Sequence, residues 1–217
     1  ENGYERIVWT PGDEQARRDD SAQKLMAKPT PPPEGPFDVV SLDPPWRYAK
    51  NAAVHDDATE RRGEVDYPDM SCEEIIALDV PRLLADDAIV WLWTTNAHMP
   101  EAVRIAEAWD LEWKTILTWE KPRLGMGDWL RGITEHCVLL TRGHPTVTLT
   151  NQTTILKAPT REHSRKPVEY FDLVDKLCPG TKLELFAREH RAGWTCHGVD
   201  VDRFESTPTQ RNMEGIT

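Results

Sequence analysis

Cysteine is scarce: four among 217 residues, at Cys72, Cys137, Cys178 and Cys196. They are too few and too dispersed for a disulfide framework, and they read as reduced thiols in a cytoplasmic protein. They also lack metal-ligand spacing. His136-Cys137 and Cys196-His197 are adjacent pairs, and neighbours on a strand point to opposite faces, so no metal site is expected. No run of about 18 apolar residues occurs, which excludes a membrane-spanning helix, and no membrane partner is expected. The opening ENGYERIVWT lacks the basic-then-apolar layout of a secretory signal. Positive charge is in short supply too: 26 Lys and Arg stand against 37 Asp and Glu, a net −11. That excludes a protein that coats nucleic acid by general basicity.

The charge is unevenly spread. Between Glu112 and Lys166 there are nine cations (Lys114, Lys121, Arg123, Arg131, Arg142, Lys157, Arg161, Arg165, Lys166) and five acids (Glu112, Glu120, Asp128, Glu135, Glu162). That stretch is +4 and the remainder −15. A local basic surface of this kind can contact phosphates despite the global sign.

Hydrophobic residues make up 39% of the chain, and the length suits one domain that buries about 70% of its unfolded surface. Residues 1–36 read as an arm ending in the linker KPTPPPEGP, whose prolines rule out helix and central strand. Residues 37–204 form the globular body and 205–217 a tail. FDVVSL (37–42) reads as a buried parallel strand. Residues 49–66 are polar and predict a mobile loop. Ser71 caps a helix, with Glu74 completing a capping box. AIVWLWT (88–94) is a second buried strand, followed by a helix with Met99, Val103 and Ala106 on one face and Pro100 in its first turn. Lys114–Trp119 and His136–Thr141 read as strands. Pro167 opens a helix facing inward with Tyr170, Phe171, Val174 and Leu177, which Pro179-Gly180 ends. Lys182–Ala187 is the last strand. Strands alternating with helices predict a three-layer α/β/α sheet. Of nine tryptophans, Trp91, Trp93, Trp109 and Trp113 fall where core is expected, and Trp46 and Trp129 flank polar loops.

The most informative residues are Asp43-Pro44-Pro45-Trp46, directly after the first strand. In open α/β sheets ligands sit beyond the carboxyl ends of strands. An exocyclic amine on a base is a poor nucleophile because its lone pair is delocalised into the ring. A carboxylate and a carbonyl accepting its two N–H bonds draw the nitrogen toward tetrahedral geometry, and the carboxylate then stabilises the positive charge that develops. Two prolines aim the carbonyl rigidly, and an aromatic ring stacks an extruded base. Asp43, the Pro44 carbonyl, and Trp46 or Tyr48 suit these roles.

Six blocks in order, from about Phe37 to Gly198, resemble the adenine methyltransferase family typified by the 70-kilodalton catalytic subunit of the mRNA methyltransferase, whose bacterial and phage members modify DNA. They are Asp43–Trp46; Tyr67-Pro68-Asp69-Met70-Ser71; Trp91–Thr94 with Asn96; Trp129-Leu130 with Glu135-His136-Cys137; His163–Pro167; and a C-terminal block. The last comprises Pro179-Gly180-Thr181, Glu184-Leu185-Phe186, Arg188, His190 and Trp194. The resemblance implies a Rossmann-like fold and S-adenosylmethionine as cofactor. It places Asp43, Pro44, Pro45 and Trp46 at the chemistry, and Tyr48, Tyr67, Trp129 and Glu135 near the acceptor base. The cofactor falls to Asp43, Lys166, Arg188, His190, Arg191 and Asp200, with the C-terminal block around its ribose and methionine tail. A lysine at a helix start is misplaced against the helix dipole, which suits Lys166 reaching a carboxylate ligand. Two departures stand out. SAQKLMAKP (21–29) holds no counterpart of the family's upstream Asp, and Val199-Asp200 follows Gly198 in place of Asn then Gln or Glu. The implied activity is methylation of adenine in DNA, with RNA as the alternative acceptor. A non-catalytic binding partner of an active relative is the alternative from another class. A homodimer or a hetero-partner fits the small body, which has no separate target-recognition domain.

Overall fold

The computed structural model describes residues 33–47, 69–125, 129–149, 151–162, 165–202 and 204. Seven strands form one sheet: β1 Phe37–Leu42, β2 Leu84–Thr94, β3 Glu112–Glu120, β4 Thr134–Arg142, β5 Ile155–Lys157, β6 Lys182–Leu185 and β7 Trp194–His197, in the order β5-β3-β4-β2-β1-β6-β7. Every pairing is parallel except those of β4, which runs against both β2 and β3. The helices are α1 Cys72–Ile76, α2 Met99–Ala108 and α3 Val168–Leu177.

Period-two alternation divides the core between the two faces of the sheet. Val40, Leu42, Val90, Leu92, Val138 and Leu140 share one cluster with Ile75 of α1 and Ala102, Ile105 and Ala106 of α2. Their neighbours Val39, Ile89, Trp91, Trp93 and Cys137 share the other with Tyr170, Phe171, Val174 and Leu177 of α3. This is the expected three-layer α/β fold. The capping box at Ser71 and Glu74 is present, Pro100 sits in the first turn of α2, and Pro167 is the N-cap of α3.

Several expectations need adjusting. β5 and β7 have no signature in the sequence because three or four residues carry no readable periodicity. β2 starts at Leu84 rather than Ala88, since the exposed Asp86 and Asp87 conceal its first turn of pairing. Trp91, Trp93 and Trp109 are buried, but Trp113 is only half-buried. The loop 49–66, the arm up to Pro32 and the tail 205–217 lie outside the described residues.

One turn ties the far edge of the sheet. Gly180 has φ +96, and a Cβ there would lie 2.3 Å from the Asp38 carboxylate. That carboxylate accepts from the Thr181 N–H at 2.7 Å and hydroxyl at 2.8 Å, and the Asp38 N–H donates back to the hydroxyl. Only glycine gives the room and the left-handed backbone.

Candidate active site

β1, β2, β3, β6 and β7 point the same way, so their carboxyl ends share one edge, and antiparallel β4 begins at that edge. Asp43 after β1, Asn96 after β2, Lys121 after β3, Glu135 at the start of β4, residues 186–191 after β6 and 198–200 after β7 are gathered there by topology alone. Lys166 enters just before α3.

The centre is an ion cluster. The Lys166 ammonium lies 2.7 Å from Asp43 Oδ2 and 3.1 Å from Glu135 Oε2. It also sits 4.9 Å from the Trp93 ring centroid. Lys121 holds the other oxygen of Glu135. Burial pushes the Glu135 carboxyl up, but the two ammonium groups outweigh burial and hold it at about 2. Burial pulls Lys166 down, and the two carboxylates overcome this and raise it above the ordinary lysine value. Lys166 and Glu135 are thus charged at neutral pH, in a site where an unpaired charge is costly. Lys166 at its helix start is explained by two carboxylates of this chain.

The Asp43–Trp46 turn is pinned on both sides. The Pro44 carbonyl accepts from the Trp46 N–H at 2.9 Å, which engages one of its two lone pairs. Pro45 accepts from Met70 N–H at 2.7 Å, and Arg47 N–H donates to the Met70 carbonyl at 3.0 Å. Trp46 is 8% exposed, donates its Nε1–H to the Trp93 carbonyl and stacks on His98. A ring held this way cannot sandwich a base, so the stacking role expected of Trp46 is corrected: it anchors the turn. On its α1/α2 side lies an open groove of about 260 Å³, lined in part by Trp46, Arg47, His98, Glu101 and Arg104.

Trp129 is the opposite case. It is 101% exposed and holds φ +61, with Leu130 exposed beside it. Phe186 holds φ +62 at the end of β6. Left-handed backbone at a bulky residue is strained, and such strain collects at functional sites. Tyr48, Tyr67, His163 and Ser164 lie outside the described residues.

The C-terminal block splits. Gly180, Thr181 and Trp194 lie at the opposite edge, where Lys182 pairs with Trp194. Trp194 is buried, bonded to Asp175 and packed on Phe171. Their contacts hold the start of β6 and the α3 side of the sheet together, away from the carboxyl edge. Arg188, His190, Arg191 and Asp200 do follow β6 and β7 at the site edge. His190 Nε2 lies 3.1 Å from Asp202, and Arg191 bonds Glu189, which also receives Arg161 and Arg165. Arg191 lies 3.4 Å over the Phe171 ring.

Glu184, which has no signature of its own within the C-terminal block, is incompletely satisfied at this edge. Its Oε2 is buried without a hydrogen bond among the described residues, and burial, relieved in part by Arg191, raises its carboxyl to about 7. A ligand bringing hydroxyl or amino donors would satisfy it. Gly198 shows close approach as well: a Cβ there would lie 2.2 Å from the Ala187 carbonyl. The buried Glu184 acceptor suits S-adenosylmethionine, which carries ribose hydroxyls and an ammonium.

The basic segment is mostly consumed internally. Lys114, Lys121, Lys157, Arg161, Arg165 and Lys166 all pair with acids. Arg142, expected to face phosphates, lies at the opposite edge and bonds the carbonyls of Pro81 and Leu84. Arg123 and Arg131 remain exposed on the loop between β3 and β4.

The profile of the MT-A70 family matches residues 37–200. The chain is similar to the type II methyltransferase M.MunI of a Mycoplasma species, at 30% identity over 84% of this chain and 85% of that protein. It is similar at 33% identity to the Arabidopsis thaliana N(6)-adenosine-methyltransferase MT-A70-like, covering 77% of this chain and 24% of that one. The human N(6)-adenosine-methyltransferase catalytic subunit METTL3 is 31% identical over 77% of this chain and 29% of its own. The chain thus spans about a quarter of the plant and human relatives. No helix among the described residues is long and apolar enough to cross a membrane.

Proposed function

The chain belongs to the MT-A70 family of methyltransferases, and on that premise we propose that it methylates the exocyclic 6-amino group of adenine in DNA, with S-adenosylmethionine as methyl donor. The observation that carries this reading is the convergence of Asp43, the Pro44 carbonyl, Lys166 and Glu135 at the carboxyl edge of the sheet. Similarity along most of the body to a type II methyltransferase is what favours DNA over RNA as the acceptor.

Asp43 and the Pro44 carbonyl accept the two N–H bonds of the amine and free its lone pair. Asp43 then stabilises the positive charge growing on nitrogen. Lys166 orients Asp43 through one carboxylate oxygen and leaves the other for substrate. Glu135, kept ionised, fixes Lys166 from the opposite side. S-adenosylmethionine, when bound, supplies a methyl group activated by the sulfonium. Glu184, Arg188, His190, Arg191 and Asp200 are the residues that would hold it. Trp129 takes the stacking role that the burial of Trp46 removes.

Labelled S-adenosylmethionine with DNA and RNA panels, read by nucleoside mass spectrometry, should yield N6-methyl-deoxyadenosine. Asp43→Ala should reduce turnover by about 10²–10³ while the fold persists. Retention of more than half of the wild-type turnover would refute the role of Asp43.

A further inference from the structure

We propose that His98 is a positioning residue for the methyl transfer, holding the Asp43–Trp46 turn in its reactive geometry through its stack on Trp46. The proposal rests on the function argued above. The ring planes of His98 and Trp46 are nearly parallel, at 13°, with centroids 5.1 Å apart. That is the offset arrangement aromatic pairs favour. The indole is fixed along its edge by the bond to the Trp93 carbonyl, 3.0 Å, and across its face by His98. Three residues earlier in the chain is Asp43, and between them two prolines leave little torsional freedom. Any movement of the indole is therefore passed along a stiff connection to the carboxylate.

His98 is placed for this by its own segment. It ends a short 3₁₀ turn, Asn96–His98, immediately after β2, and its N–H donates to the Thr95 carbonyl. β2 also supplies the Trp93 carbonyl, so both restraints on the indole come from one rigid central strand and its exit. His98 is 7% exposed. Burial lowers its pKa, with Glu101 opposing, so the ring is neutral at pH 7. The charged and titratable groups around it are Glu101, with Oε2 3.9 Å from Nδ1, and the other groove-lining residues Arg104 of α2, Cys72 and Glu73 of α1, and Arg47 after the turn. Glu73 pairs with Arg104, and Arg47 with Asp69 and Glu74.

The test compares His98→Ala with His98→Phe, which keeps a flat ring of similar size. A displacement near 1 Å at a reacting group costs up to about 10²-fold, so kcat in His98→Ala should fall about 10-fold or more with KM for S-adenosylmethionine unchanged. His98→Phe should restore at least half of it. In parallel, hydrogen exchange of the Arg47 and Met70 amides, which bridge to Met70 and Pro45, should quicken in His98→Ala alone, with β1 as protected as in the wild type. Equal kcat for His98→Ala and wild type would overturn the proposal. So would a His98→Phe variant no better than His98→Ala although both keep β1 protected. If the wild type itself methylates no adenine, the function argued above fails. The exchange of Arg47 and Met70 then still decides whether His98 holds the turn: unchanged exchange in His98→Ala overturns it.

Discussion

Replacing Lys166 with methionine removes the ammonium that lies between Asp43 and Glu135 and leaves two carboxylates without their common counter-ion. Deleting one partner of a buried ion pair costs about 3–5 kcal/mol. Lys121 still holds Glu135, so the lower end, about 3 kcal/mol, is expected. At about 2–4 °C per kcal/mol for a chain of this size, the melting temperature at pH 7 should drop by about 6–12 °C. The acid limb gives an independent reading. Glu135 is depressed from 4.5 to about 2, so it contributes stability above its ordinary value that is lost as pH falls through about 2. At about 1.4 kcal/mol per pH unit this window is worth about 3 kcal/mol. In Lys166→Met, burial pulls the carboxyl back up, and the loss between pH 4.5 and 2 should shrink. Urea unfolding of both proteins at pH 7, 4.5 and 3 measures it. A variant melting within about 2 °C of wild type, with the acid limb intact, would refute the cluster as a source of stability.

Glu184 titrates in the opposite sense. Its carboxyl is raised to about 7, so the folded state binds the extra proton and stability declines as pH rises from about 4.5 to 7; Glu184→Gln should flatten that decline in denaturant titrations. Gly180→Ala drives a Cβ into the Asp38 carboxylate and strains a left-handed backbone, and should cost about 1–3 kcal/mol by thermal unfolding without altering the carboxyl-edge chemistry. Arg123→Ser with Arg131→Ser should weaken DNA binding across all sequences and lower its salt slope by about 2, measured by anisotropy at several ionic strengths. Arg142→Ser should instead lower the melting temperature and leave that slope alone, because its guanidinium serves the carbonyls of Pro81 and Leu84.

What the chain's order of residues determined was the element pattern and the position of the chemistry. FDVVSL followed at once by Asp-Pro-Pro-Trp specifies a buried strand with a carboxylate at its end, because local periodicity and proline stiffness act over a few residues. The Ser71 capping box and the inward face of α3 were legible for the same reason. Tertiary structure alone decided which charges meet. Lys166 and Asp43 are 123 positions apart, and only the neighbouring placement of strands that end at one edge brings the ammonium onto the carboxylate. The same long-range packing buried Trp46 under His98, exposed Trp129, sent Arg142, Gly180 and Trp194 to the opposite edge, and left Glu184 short of a hydrogen bond among the described residues. None of these has a local signature. Each depends on which strands become neighbours, which a run of residues cannot state about itself.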